Sequence, residues 1–449
     1  MAEKNNDLME KIVSLCKRRG FVFQGSEIYG GLSGIYDYGP LGVDLRHNIK
    51  QYFWQKFITD REDVYGMGAA ILMPARVWEA SGHVGELGLV DPVVECGVCH
   101  ERVRADQSEA IRDHEDTHKK EKVKWSEPKI FNLLVETKLG ASKETSTEVY
   151  LRGEITQGVH VNFKNVLDSM HPKIPFGIGQ IGKSFRNEIT PRDFLFRQRE
   201  FEQMELQYYI KPEEEEGKKQ FEYWKKEAFD WYLGLGFKKE NLRWRQHAPD
   251  ERAHYAKDAW DIEYNTPFGG WKEAWGIHHR GDWDLKRHSE YSGVDMSYYD
   301  EEKKDRFIPW DIECSGGVDR AVLFVLIEAY KEDKLGGETR TYLKFAPKIA
   351  PVKIAVFPLL KNKSELVKKA REIYKELKKE FGAVVFDDNG NIGKRYRRQD
   401  EIGTPWCVTV DFETIEKAEG GVTVRDCDTG EQTRMNVLDL TSFIKFKLV

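Results

Sequence analysis

Residues 177–210 carry the clearest pattern in the chain. After a break at Thr190-Pro191-Arg192-Asp193, apolar Met204, Leu206, Tyr208 and Ile210 alternate with Arg197, Arg199, Phe201, Gln203 and Glu205. Period-two alternation predicts a strand with one core face and one polar face, and the proline-containing break predicts a loop between two strands. Elsewhere the period is that of a helix. Residues 7–19 are amphipathic and stop at Gly20. Pro40 is placed to open a helix over 41–58, on which Leu45, Ile49, Phe53 and Phe57 form one apolar stripe. Four consecutive glutamates, Glu213 to Glu216, precede a helical stretch at 218–235, where negative charge suits a helix start. Residues 251–295 alternate again. A short strand at 307–313 then runs through Cys314-Ser315-Gly316-Gly317 into an apolar helix over 318–330.

Beyond a linker expected at 336–351, the rhythm becomes strand (352–359), helix (364–380), strand (383–388), a basic loop or helix, and strand (405–412). Such alternation predicts a separate α/β domain.

Length and composition narrow the class. A chain of 449 residues suggests about three domains. With 40% hydrophobic and 33% charged residues it is a globular chain with ample core. Its net charge of −6 argues against a general polyanion binder and leaves room for a local basic patch. Six cysteines do not suggest a secreted disulfide scaffold. The first twenty residues lack a signal-peptide core, and the apolar run 321–327 is too short to span a bilayer. A cytoplasmic protein without a membrane partner is expected.

The polar face at 186–205 suggests its own ligand. Arg186 and Arg197 can grip phosphate oxygens, Phe201 can stack on a base, and Glu205 can hold an ammonium. A nucleotide beside an amino acid uses all of them. Gly177 to Ser184 also spells the G-x4-G-K-S phosphate loop, but that loop needs a strand before it and a helix opening at Lys183. The preceding His-Pro-Lys-Ile-Pro is a poor strand, and the following residues alternate, so that reading is set aside.

Residues 91–127 change character. Cys96 and Cys99 are followed by His114 and His118, a spacing close to that of structural zinc sites. His114-Glu115-Asp116-Thr117-His118 also spells the metallopeptidase pattern H-E-x-x-H. Its charged neighbours leave no apolar side to pack, and no third ligand is evident. In the C-terminal part, Lys394, Arg395, Arg397 and Arg398 surround Tyr396, a mixture suited to single-stranded RNA.

The stretch FRNEITPRDFLFRQREFEQME resembles motif 2 of the class II aminoacyl-tRNA synthetases, closest in wording to the dimeric glycyl branch of class IIa. YLRGEITQG is similar to that family's YLRPETAQG, with Gly153 and Ile155 departing from it. Ile312 to Arg320 resembles motif 3, with Cys314 replacing a proline. The resemblance implies an α+β catalytic domain on an antiparallel sheet with flanking helices, in 1–90 and 128–340. Residues 91–127 would be an insertion, and 347–449 an α/β anticodon-binding domain.

By the same resemblance, Arg186 meets the α-phosphate of ATP, Glu188 lies near the adenine, Arg197 reaches the outer phosphates and Phe201 stacks under the base. Arg320 covers the base or meets the γ-phosphate. Glu273 and Arg280 map to the site, with magnesium or phosphate as partners. Arg152, Glu154, Glu205, Glu313 and Ser315 surround glycine. The helix at 41–58 with the strand up to residue 74 corresponds to motif 1, at a homodimer interface. The implied reaction joins glycine to tRNA(Gly) through glycyl-adenylate, using ATP with Mg2+. A synthetase for another small amino acid and a synthetase-like RNA-binding protein are the alternatives.

Overall fold

The computed structural model describes residues 2–84, 88, 90–118, 121–142, 145–252, 256–417 and 420–448. Its centre is a seven-stranded sheet. In chain order the strands are β1 (Val64–Met67), β2 (Phe176–Phe185), β3 (Glu200–Ile210), β4 (Leu242–Gln246), β5 (Asp258–Thr266), β6 (Gly270–Gly281) and β7 (Trp310–Gly317). Their spatial order is β4-β5-β6-β7-β3-β2-β1. All neighbours are antiparallel except β1, which runs parallel to β2 at the edge. The alternating stretch at 251–295 is thus a hairpin followed by a helix, Trp283–Ser292. Its residues 253–255 lie outside the described ones.

One face of the sheet is apolar. Met204, Leu206, Tyr208, Ile210, Trp275, Ile277, Ile312 and Cys314 pack there into the main core. Helices α1 (Ala2–Arg19), α2 (Pro40–Trp54), α3 (Glu214–Gly234) and α4 (Val318–Ala329) supply the other layer. Pro40 does open α2, and Leu45, Ile49 and Phe53 are buried along it. The helix does not run evenly to residue 58, because Gln55–Thr59 widens into a π turn that still buries Phe57. Glu214, Glu215 and Glu216 occupy the first turn of α3, as their charge favours.

Three expectations change. First, β3 begins at Glu200, so Arg197 and Arg199 precede the strand. Asp193 and Phe194 adopt positive φ (59° and 55°), which turns the chain before the alternation starts. Second, the expected linker at 336–351 begins as a hairpin of Tyr330–Leu335 and Glu338–Leu343. Gly336 and Gly337 both have positive φ, the two-residue turn that matches strand twist. The second strand crosses residue 340, where the first domain was expected to close. Third, the insertion is bounded by a sheet of Arg102–Arg104, Val90–Glu95 and Lys129–Asn132, which reaches beyond 91–127 at both ends.

The C-terminal part is a five-stranded sheet in the order Val384–Phe386, Ile354–Pro358, Trp406–Val410, Val422–Asp426, Gln432–Met435. Helices α5 (Ser364–Phe381) and α6 (Ile392–Ile402) pack beside it. Leu366, Ala370, Ile373 and Leu377 form the buried stripe of α5. Among the described residues, no helix is long and apolar enough to cross a membrane.

Candidate active site

The polar face of the sheet is built rank by rank. Gln180, Glu205, Ser315 and Gly276 face one another across β2, β3, β7 and β6. Gln207, Glu313 and His278 form the next rank. Alternation along each strand therefore collects polar side chains from distant parts of the sequence onto one floor.

At one end of the floor lies a cleft of about 400 Å3, lined among others by Arg186, Glu188, Arg197, Phe201, Glu273, Ser315 and Arg320. The Arg186 guanidinium carbon stands 5.4 Å from the centre of the Phe201 ring. Its Nε donates to the Gly153 carbonyl at 3.0 Å. Arg197 Nε donates to Glu188 Oε2 at 2.7 Å. Arg320, in the first turn of α4, lies 4.6 Å from the Phe196 ring centre and pairs with Glu273 Oε1 at 3.0 Å. The motif residues of three separate stretches thus share one hollow. Arg199 does not join them; it donates to the carbonyls of Glu188 and Ser33.

Beside the cleft sit the buried carboxylates of Glu205 and Glu313 and the half-buried one of Glu154. Glu205 Oε2 accepts from the Thr156 hydroxyl at 2.5 Å, and Oε1 from Gln203 Nε2 at 2.8 Å. Glu313 accepts from Arg280 NH1 at 2.8 Å, from the Ser315 hydroxyl at 3.0 Å, and pairs with His278 Nδ1 at 2.8 Å. Glu154 lies 3.2 Å from His83 Nε2 and accepts from Gln157 Nε2 at 3.1 Å.

Their charges divide. Burial opposes ionisation of Glu313, but Arg280 and His278 outweigh it and hold the carboxyl well below its usual range. Burial likewise opposes ionisation of Glu154, and His83 outweighs it. At Glu205 the Thr156 hydroxyl and the Arg280 charge favour ionisation but are outweighed. Burial and then the charges of Glu313 and Glu154 push its pKa well above the usual value.

Arg280 and Arg152 differ from expectation. Arg280 is buried, with Nε and NH2 on the two Asp284 oxygens at 2.8 and 3.0 Å and NH1 on Glu313. It orients a carboxylate and is screened from any phosphate. Arg152 is 2% exposed and donates to the carbonyls of Lys183 at 2.7 Å and Ala69 at 2.9 Å, so its guanidinium braces backbone. Thr156, Gln157, His278 and Asp284 complete the pocket and were not singled out from sequence. Their signals were slight: Thr156 and Gln157 follow Glu154 in the YLRGEITQG stretch, and His278 shares strand parity with Arg280.

The three departures from the family wording have the following places. Cys314 points into the apolar core and is fully buried, on the side opposite the carboxylates. Ile155 is likewise fully buried, and Gly153 contributes its carbonyl to Arg186.

A second constellation lies in the insertion. One ligand atom each from Cys96, Cys99, His114 and His118 lie within 4.8 Å of one another. Cys99 Sγ is 3.4 Å from His114 Nε2, Cys96 Sγ is 3.7 Å from His118 Nε2, and the two imidazole nitrogens are 3.2 Å apart. These spacings fit the corners of a tetrahedron around a zinc-sized ion. Glu115 accepts from Trp125 Nε1 at 2.8 Å, so the glutamate of H-E-x-x-H is engaged in holding the module together.

The basic cluster of α6 divides. Lys394 is exposed. Arg395 is 1% exposed and donates to the carbonyls of Pro358, Asp388 and Gly390, which removes it from any RNA surface. Arg398 pairs with Asp387 at 2.6 Å and Arg397 with Glu338 at 3.5 Å.

Residues 136–330 match the family described as tRNA synthetase class II core domain (G, H, P, S and T), and residues 353–447 match the anticodon binding domain family. The chain is 48% identical to a glycine–tRNA ligase of Caldanaerobacter subterraneus, over 98% of both chains. It is 49% identical to one from Geobacillus kaustophilus, over 98% of this chain and 99% of the relative. A third relative of that name, from Clostridium acetobutylicum, is 46% identical over 99% of this chain and 100% of its own.

Proposed function

The chain belongs to the glycine–tRNA ligase family of class II aminoacyl-tRNA synthetases, and on that premise we propose how its residues join glycine to tRNA(Gly). The glycine carboxylate attacks the α-phosphorus of ATP, forming glycyl-adenylate and releasing pyrophosphate. The terminal ribose hydroxyl of the tRNA then displaces AMP. No side chain acts as a covalent nucleophile; catalysis is positioning and charge stabilisation.

Arg186 holds the α-phosphate and Arg197 the outer phosphates, while Phe201 and Arg320 enclose the adenine. Glu188 fixes Arg197 and borders the base. Bound magnesium neutralises phosphate charge, and Glu273, open to solvent at the cleft, is the carboxylate suited to hold it. Glu154, Glu205 and Glu313, with Ser315, surround the ammonium. A missing methylene changes affinity by only about 1–3 kcal/mol, but glycine has no smaller rival, so a crowded pocket is sufficient for selection.

Residues 1–89 and 133–343 carry this chemistry, and 347–449 hold the tRNA anticodon through the exposed Lys394 of α6, with the half-buried Arg397 beside it. Cys96, Cys99, His114 and His118 hold a structural zinc ion. Exposed Ile28, Tyr29 and Leu32, with Val43 on α2, are covered by a second copy of the chain in a cytoplasmic homodimer.

The observation that carries the reading is the adjacency of the arginine–phenylalanine cleft and the buried carboxylates of Glu205 and Glu313 on one sheet face. The test is transfer of labelled glycine to a tRNA(Gly) transcript. Charging that requires ATP and both substrates is expected; ATP hydrolysis without charging contradicts it.

A further inference from the structure

Helix α6 is locked to the catalytic half through a buried ion cluster. Arg340, on the hairpin strand Glu338–Leu343, is 2% exposed and enters the C-terminal domain. Its guanidinium donates to both Asp333 oxygens at 2.7 and 2.9 Å, to Asp400 at 3.3 Å, and to the carbonyls of Cys427 and Asp428 at 2.6 and 2.7 Å. Asp400, near the end of α6, is fully buried and also takes Arg425 at 2.7 and 3.1 Å. Gly403 follows α6 at φ 72°, and a Cβ there would stand 2.4 Å from the Phe345 ring. Backbone meets ring without space for a slip.

The position of this cluster matters more than its strength. The hairpin continues α4 without a break, since α4 ends at Ala329 and the strand starts at Tyr330. The first turn of α4 holds Arg320 in the cleft. A rigid path therefore runs from Arg320 through α4 and the hairpin to Arg340, Asp400 and α6. A second brace ties Glu401 to Arg19 at the end of α1. Buried ion clusters add little net stability compared with apolar packing, and their better-attested use is to fix one geometry. Domains joined within a chain otherwise move against each other by default.

We propose that the Arg340–Asp400–Arg425 cluster is the joint through which tRNA held on the C-terminal domain is brought into register with the catalytic cleft. Arg340 and Asp400 are then positioning residues for transfer of glycine, and glycine activation proceeds without them. The proposal rests on the ligase reading above, and activation measured without tRNA tests that reading separately.

Arg340→Gln and Asp400→Asn are compared with the unaltered protein in two assays. Glycine-dependent ATP–pyrophosphate exchange without tRNA is expected to stay within about twofold, while kcat/KM for a tRNA(Gly) transcript falls about tenfold. Equal losses in both assays would make the cluster purely structural and overturn the proposal, as would no loss in either. Absence of exchange in the unaltered protein would instead strike the ligase reading. Should neither variant fold, deuterium exchange of the unaltered protein decides: the transcript is expected to slow exchange in 318–343, and unchanged exchange there overturns the joint.

Discussion

Burial and the charges of Glu313 and Glu154 raise the Glu205 pKa above the usual 4.5, so folding favours a proton on that carboxyl. The stability this proton confers is complete below pH 4.5 and is lost as pH rises through the raised folded value. On the proposed placement of glycine its ammonium takes the place of that proton, so KM for glycine is expected to fall as pH rises through the same window. Glu205→Gln is expected to hold or raise Tm and to raise KM for glycine about 10- to 100-fold, the equivalent of one charge-assisted hydrogen bond. Unchanged KM in steady-state kinetics would remove Glu205 from the pocket. At this scale strand parity was informative: it put Phe201 at the cleft and Glu205 on the polar sheet face. It misled at Arg152, Arg280 and Arg395, whose guanidiniums are buried and taken by backbone carbonyls or, for Arg280, by the Asp284 and Glu313 carboxylates. Asp284 and Gln157 stayed hidden because they meet across 127 positions, at 3.0 Å.

Among elements, the insertion makes the sharpest prediction. Its helix Ser108–Thr117 carries His114, and His118 follows at its end, opposite the thiols at the turn after strand Val90–Glu95. The four ligand atoms thus join two charge-rich segments, beside the Trp125–Glu115 hydrogen bond. Mass spectrometry under native conditions is expected to find one zinc ion per chain, lost in Cys99→Ser. Chelation is expected to speed deuterium exchange over 96–118 and leave β2, β3 and β7 unaffected. A metal-free protein with equal protection in that helix would exclude the site. The main strands and helices were legible because their apolar periods are long and regular. The hairpin at 330–343 was not, because Gly336-Gly337 reads in sequence like the start of a linker, whereas both glycines supply the positive φ of a tight turn.

For the whole molecule, the sequence pointed to a catalytic sheet domain and a separate α/β domain, and the comparisons agree with both. What it could not convey was how the halves meet, since Arg340 and Asp400 are joined only by folding. On the proposed homodimer, in which a second chain covers exposed Ile28, Tyr29, Leu32 and Val43, analytical ultracentrifugation is expected to give twice 52.3 kDa. A mass of 52.3 kDa at micromolar concentration would contradict the dimer.

The central claim is that one sheet face holds an activated nucleotide and the smallest amino acid side by side. ATP–pyrophosphate exchange measured with each amino acid in turn tests it most directly. The expected result is exchange with glycine, little with alanine or serine, and a loss of about 100-fold or more in Arg186→Ala with Tm unchanged. Exchange driven equally by alanine or serine, or undiminished in Arg186→Ala, would contradict it.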